Sequence, residues 1–113
     1  MSDRDQIPIA CTLTPREAAD QAASWAALGP MLRRCDSDDR GVTLWFDAAA
    51  DATVAVIAQR EALCCAFLSI RRSHEDGLTR LDINCDDPDG VAVARLIATQ
   101  VSGSTEISSC DGC

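Results

Sequence analysis

The sequence predicts an α+β fold: an antiparallel sheet of about five strands with helices on one face, in the order β-α-β-β-α-β-β-α, a ferredoxin-like sandwich. Three observations predict it. Apolar residues alternate in "IPIACTL", "GVTLWF" and "LTRLDINC", the period of a strand with one face buried. Between these runs lie segments with helical periodicity, bounded by capping residues, Gly and Pro. The chain has 113 residues and is 47% hydrophobic, enough for one cored domain and too short for two.

Each element has its own signal. Residues 1–6 are polar and expected to be disordered. In the first run Ile7, Ile9, Cys11 and Leu13 share a face. Thr14, Pro15 and Glu17 then form a capping box with Pro at the first helical position. That helix is expected from Pro15 to about Leu28, with Ala18, Ala22, Trp25 and Ala26 inward, ending at Gly29-Pro30. "MLRRC" and "VTLWF" around "DSDDRG" read as a hairpin, with Val42, Leu44 and Phe46 inward. Asp47 or Asp51 caps a second helix running to about Ala66. A second hairpin, "FLSIRRS" and "LTRLDINC", turns at "HEDG". Asp87-Pro88 opens a third helix to about Val101. The domain thus spans 7–101, and residues 102–113 form a small, polar, flexible tail.

Net charge is −8 and all ten basic residues are arginine. An acidic chain repels phosphate backbones, so direct nucleic-acid binding is not expected. No run approaches the roughly 20 apolar residues of a membrane span. The N-terminus has no apolar signal-peptide core, so a cytoplasmic location is expected. Seven cysteines are too few, and odd in number, for a disulfide scaffold. In a reducing cytosol such thiols bind metal, do redox work or pack as small hydrophobes.

The chemistry concentrates in "REALCCAFLSI", residues 60–70. At about 100° per residue, Val54, Ile57, Cys64, Cys65 and Leu68 share an arc with Glu61 near its middle. Cys64 and Cys65 follow Glu61 by three and four positions, so both neighbour it on the next turn. A buried carboxylate needs a partner or a proton. Glu61 is therefore expected either to trade protons with a thiol or to pair with a metal or an arginine (Arg60, Arg71 or Arg72). The alternative is a helix rotated enough to expose it. Adjacent helical cysteines diverge too far to chelate one ion unaided. Cys11, inward on the first strand, is the best third ligand and Cys85 the next, each alternatively plain core. Thiolates select Hg, Zn or Cu(I). Cys110 and Cys113 form a C-x-x-C in the tail, suited to delivering an ion or a reducing equivalent. Cys35 reads as packing or an incidental surface thiol. His74, the only histidine, reads as an exposed turn residue.

"IACTL" (9–13), "GVTLWF" (41–46) and the E-x-x-C-C-x-F pattern at Glu61, Cys64, Cys65 and Phe67 resemble a small actinobacterial-type domain. That domain occurs alone or behind MerR-type helix-turn-helix regulators, and its activity is not settled. The resemblance covers about residues 7–100 and carries over Cys11, Glu61, Cys64, Cys65 and Phe67. MerR-type association implies sensing or detoxification of metals or thiol-reactive compounds. Organomercurial lyases offer an analogy only, with two cysteines and an acid that relays a proton. The expected function is binding or detoxification of a thiophilic metal or metalloid, mercury-type, as in metal resistance. Glu61, Cys64 and Cys65 would do the chemistry, and Cys11, Cys64, Cys65, Cys85, Cys110 and Cys113 would supply ligands. The alternatives are a thiol enzyme (organometal lyase or thiol-disulfide oxidoreductase) and a ligand-sensing or interaction module with structural cysteines.

Overall fold

The computed structural model describes residues 15–103, apart from the side chains of Pro15, Ala18 and Cys64. The expected first strand with Cys11, the Thr14 cap and the tail with Cys110 and Cys113 lie outside the described residues. What is described is α+β, one four-stranded antiparallel sheet and three helices.

Helix α1 (Pro15–Ala27) leads through a short 3₁₀ turn (Gly29–Met31) into the hairpin β1 (Leu32–Asp38) and β2 (Gly41–Asp47). A second 3₁₀ turn (Ala48–Ala50) precedes α2 (Asp51–Cys64). The hairpin β3 (Ser69–Glu75) and β4 (Leu78–Asn84) follows, and α3 (Pro88–Ser102) closes the series. The strand order is β1-β2-β4-β3, so the two hairpins join through β2 and β4.

Local chemistry explains the boundaries. Asp47 Oδ1 accepts the Ala49 N–H at 2.9 Å and so caps the 3₁₀ turn. The turn of the second hairpin places Asp76 (φ 54°) and Gly77 (φ 78°) in left-handed conformations, as expected of an Asp-Gly two-residue hairpin. Asp87 Oδ1 accepts the Asp89 N–H at 2.8 Å, with Pro88 in the first turn of α3. Gly41 (φ 156°) opens β2 where a Cβ would strike the Ile83 carbonyl and the Asn84 Cα, so only glycine fits.

The inward side chains of β2 and β4, Val42, Leu44, Phe46, Leu81 and Ile83, are almost completely buried. They pack with Val54 and Ile57 of α2 and with Ala94, Ile97 and Val101 of α3. Each fully buried Leu or Ile contributes about 1.5–3 kcal/mol. The opposite face of the sheet is polar, carrying Arg34, Thr43, Arg80 and Asp82 around Trp45.

Two expectations about the helices need correcting. Among the described side chains of α1, Trp25 is buried as expected and Gln21 is buried with it, with Leu28 just beyond the helix, whereas Ala26, expected inward, is exposed. The helix is thus turned about its axis from the alanine stripe, because the large indole takes the interior and Gln21 lies one turn before it. Helix α2 stops at Cys64 rather than Ala66. Cys65 leaves helical geometry (φ −123°, ψ 66°), and the Leu68 N–H reaches back to its carbonyl at 2.9 Å, turning the chain into β3.

Candidate functional site

The site grows from two i, i+4 pairs on neighbouring helices. On α2 the buried row Val54, Ile57, Ala58 brings Glu61 to the interior, where it is 5% exposed. On α1, Gln21 and Trp25 face it. Glu61 Oε1 accepts the Trp25 indole N–H at 2.9 Å and the Gln21 Nε2 amide at 3.1 Å. The same Gln21 nitrogen lies 3.4 Å from the Ile57 carbonyl. These donors offset the cost of taking a carboxylate out of water. Arg72, one of the arginines expected to pair with Glu61, instead donates to Asp51 Oδ1 at 2.7 Å.

The second carboxylate oxygen points at sulfur. Glu61 Oε2 lies 3.0 Å from Cys65 Sγ, and Cys65 is fully buried. The Cys65 N–H still reaches the Glu61 carbonyl at 2.8 Å. The i, i+4 relation therefore survives although the helix has ended one residue earlier. Cys65 is disulfide-bonded, and a disulfide sulfur carries no proton to donate. On reduction the same 3.0 Å separation becomes an S–H···O hydrogen bond from the thiol to the carboxylate.

Two other cysteines with described side chains lie in the core. Cys35, expected either to pack or to be an incidental surface thiol, is fully buried on β1 as the packing reading has it, and is disulfide-bonded rather than free. It sits on one edge strand, whereas Cys65 precedes the other edge strand, β3. Cys85 is inward as expected, a buried free thiol. Its sulfur receives the Asp87 N–H at 3.4 Å and packs so closely under α3 that a Cβ at Gly90 would fall on it. Cys64 lies on the last turn of α2. Cys11, Cys110 and Cys113 lie outside the described residues. Among the described residues no three Cys, His, Asp or Glu side chains converge as a metal site.

Trp25 and Gln21 are site residues that the sequence reading did not assign. Their signal was the i, i+4 spacing of an indole and an amide on one helix, matching the spacing of Glu61 on α2 and Cys65 just past its end.

A second cluster surrounds Asp51. Its Oδ1 accepts from Thr79 Oγ1 at 2.9 Å and Arg72 at 2.7 Å, with His74 Nε2 at 2.9 Å. The Thr79 hydroxyl above all, then His74 and Arg72, holds the Asp51 carboxyl below its ordinary range. His74 is on β3 rather than in the turn. The cluster ties the start of α2 to the sheet.

No family model, no curated protein and no solved structure matches the chain. Among the described residues no helix is long and apolar enough to cross a membrane.

Proposed function

We propose that this chain is a thiol-centred cytoplasmic domain that binds or detoxifies a thiophilic metal or metalloid, with mercury the archetype. Cys65 is its working sulfur and Glu61 the proton acceptor beside it. One observation carries the reading: a buried carboxylate oxygen lies 3.0 Å from a cysteine sulfur, with Trp25 and Gln21 holding the other oxygen. A structural core gains nothing from a carboxylate there, whereas a thiol that must lose its proton does.

In a reducing cytoplasm a disulfide at Cys65 is transient. Opening it takes two electrons and two protons from a thiol reductant. The reductant's thiolate attacks the disulfide, a mixed disulfide forms, and a second thiol of the reductant releases both protein thiols. Cys65 then passes its proton to Glu61 as its sulfur bonds to the soft ion, so affinity falls in acid. The second thiolate comes from Cys64 or from Cys11, the latter if residues 7–13 add the fifth strand of a ferredoxin-like sandwich. Cys110 and Cys113 deliver or remove the ion, and Cys85 is a reserve ligand. Zn and Cu(I) are the other candidate ions.

The test is anaerobic titration with Hg(II) of the reduced and the oxidised protein, followed by the thiolate-to-metal charge-transfer band. The reduced protein takes up the ion and the oxidised protein takes up less, by at least the ion that Cys65 holds, since Cys35 is also bonded in the oxidised form. Cys65→Ser lowers the stoichiometry of the reduced form. Equal uptake by both redox forms together with unchanged uptake by Cys65→Ser contradicts the reading.

The disulfide at Cys65 also favours a second reading, a thiol-disulfide oxidoreductase in which Glu61 deprotonates Cys65 for attack on a substrate disulfide. Catalytic turnover of a small disulfide by the wild type, lost in Cys65→Ser, separates it from stoichiometric metal capture.

A further inference from the structure

The polar face of the sheet, away from the helices, holds a depression of about 670 Å³. Its wall includes Thr43, Phe67, Ser69, Arg71, Asp82 and Asn84. In register, Ser69 lies opposite Asn84 and Arg71 opposite Asp82, which in turn lies opposite Thr43. One row of polar side chains therefore crosses three strands and a second crosses two, on one face of the sheet.

The charges around this hollow are unequally satisfied. Asp82 takes Arg80 on both oxygens, through Nε at 3.1 Å and Nη2 at 3.1 Å, and accepts Thr43 Oγ1 at 2.9 Å. Arg80 also reaches Glu75 at 2.9 Å and lies over the Trp45 ring. Arg40 pairs with Asp86 at 2.8 Å. Asp38 accepts the N–H groups of Arg40 and Gly41 in the hairpin turn. Three aspartates and two arginines of the rim are thus committed to one another or to backbone. Arg71 is exposed and has no hydrogen-bonding or ion-pairing partner among the described residues. One guanidinium faces the hollow unmatched in a chain whose net charge is −8.

We propose that this depression binds a small organic monocarboxylate, the Arg71 guanidinium receiving the carboxylate with Ser69 and Asn84 beside it. A planar carboxylate matches the guanidinium fork. One negative charge balances the single unmatched cation. A phosphate dianion would add a charge facing Asp38, Asp82 and Asp86 with nothing to offset it. Half-buried Phe67, on the same wall and against Gly90 and Cys85, receives a short apolar or sulfur-bearing tail. The inference stands on the open sheet face and does not depend on the Glu61–Cys65 chemistry.

Butanoate, butanamide and inorganic phosphate are suitable probes in a ¹⁵N NMR titration of the whole chain. Butanoate binds with a dissociation constant of about 1 mM, giving saturable shifts at the Ser69, Arg71 and Asn84 amides and at Arg71 Nε. Butanamide, the same shape without charge, gives none. Arg71→Gln weakens butanoate about tenfold, and Arg71→Lys, which keeps the charge but loses the fork, falls between. Because Arg71 is exposed, both variants keep the wild-type spectrum elsewhere. Butanamide binding as well as butanoate, phosphate binding more tightly, or butanoate affinity unchanged in Arg71→Gln each overturns the proposal.

Discussion

The chain has two tryptophans, and each gives its indole N–H to a glutamate. Trp25 donates to Glu61 at 2.9 Å and Trp45 to Glu75 at 3.0 Å. The first pair is sealed in the core, with a neutral amide as further donor and a sulfur 3.0 Å from the second oxygen. The second lies on the polar face. There Trp45 is covered by Arg34, 4.5 Å from the ring centroid, and Arg80, 5.4 Å away. Glu75 shares Arg80 with Asp82. The same bond therefore does two jobs. On the sheet face it is one strand of a solvated charge network. In the core it holds a buried carboxylate beside a cysteine.

The contrast can be broken first at Trp25. Trp25→Phe removes a charge-assisted donor from a buried carboxylate and shrinks a fully buried ring. A loss of about 3 kcal/mol in urea unfolding is expected. Trp45→Phe in the same assay costs about 1 kcal/mol or less, because water and Arg80 take over its bond to Glu75. Equal losses would remove the distinction between the two sites.

Gly90→Ala probes the wall between the two regions. The added Cβ meets Cys85 Sγ and Cβ and approaches the Phe67 ring. Overpacking of about 2 kcal/mol is expected, with part recovered in Gly90→Ala plus Cys85→Ala. No recovery would mean that the strain lies in the backbone of α3.

The smallest effect is a pH dependence. The Trp45 N–H first, then Arg80, holds the Glu75 carboxyl below its ordinary 4.5. Its folded value is depressed, so its contribution is fully present above the unfolded value and is lost as pH falls through the folded one. Urea midpoints should therefore fall below about pH 4.5, and less steeply in Glu75→Gln and Trp45→Phe. Glu75→Gln leaving the acid limb as steep as in wild type would assign that limb to other carboxylates, such as Asp47 and Asp51, which are also held low.

The local fold was legible in the sequence where chemistry is local. Asp87-Pro88, the Asp76-Gly77 turn and the alternation of Val42, Leu44 and Phe46 fell where capping, turn and period rules place them. The meeting of Glu61 and Cys65 was legible because i, i+4 spacing fixes it, even past the helix end. What the sequence hid is tertiary. Gln21 reads as a solvent residue until the Glu61 carboxylate is opposite it. Trp25 is inward as its spacing predicts, but the rotation of α1 that buries Gln21 and exposes Ala26 depends on the Glu61 carboxylate opposite. The networks around Asp51 and Asp82 join residues up to 39 positions apart, such as Thr43 and Asp82, and no periodicity encodes them.

The most direct test of the account is the pH profile of Cys65 alkylation in the fully reduced protein, read by peptide mass spectrometry in wild type and Glu61→Gln. Glu61 as proton acceptor predicts a rate at neutral pH lowered by at least about a hundredfold in Glu61→Gln, with the two profiles converging in alkali. Superimposable profiles would show that the carboxylate beside the sulfur plays no part in its chemistry.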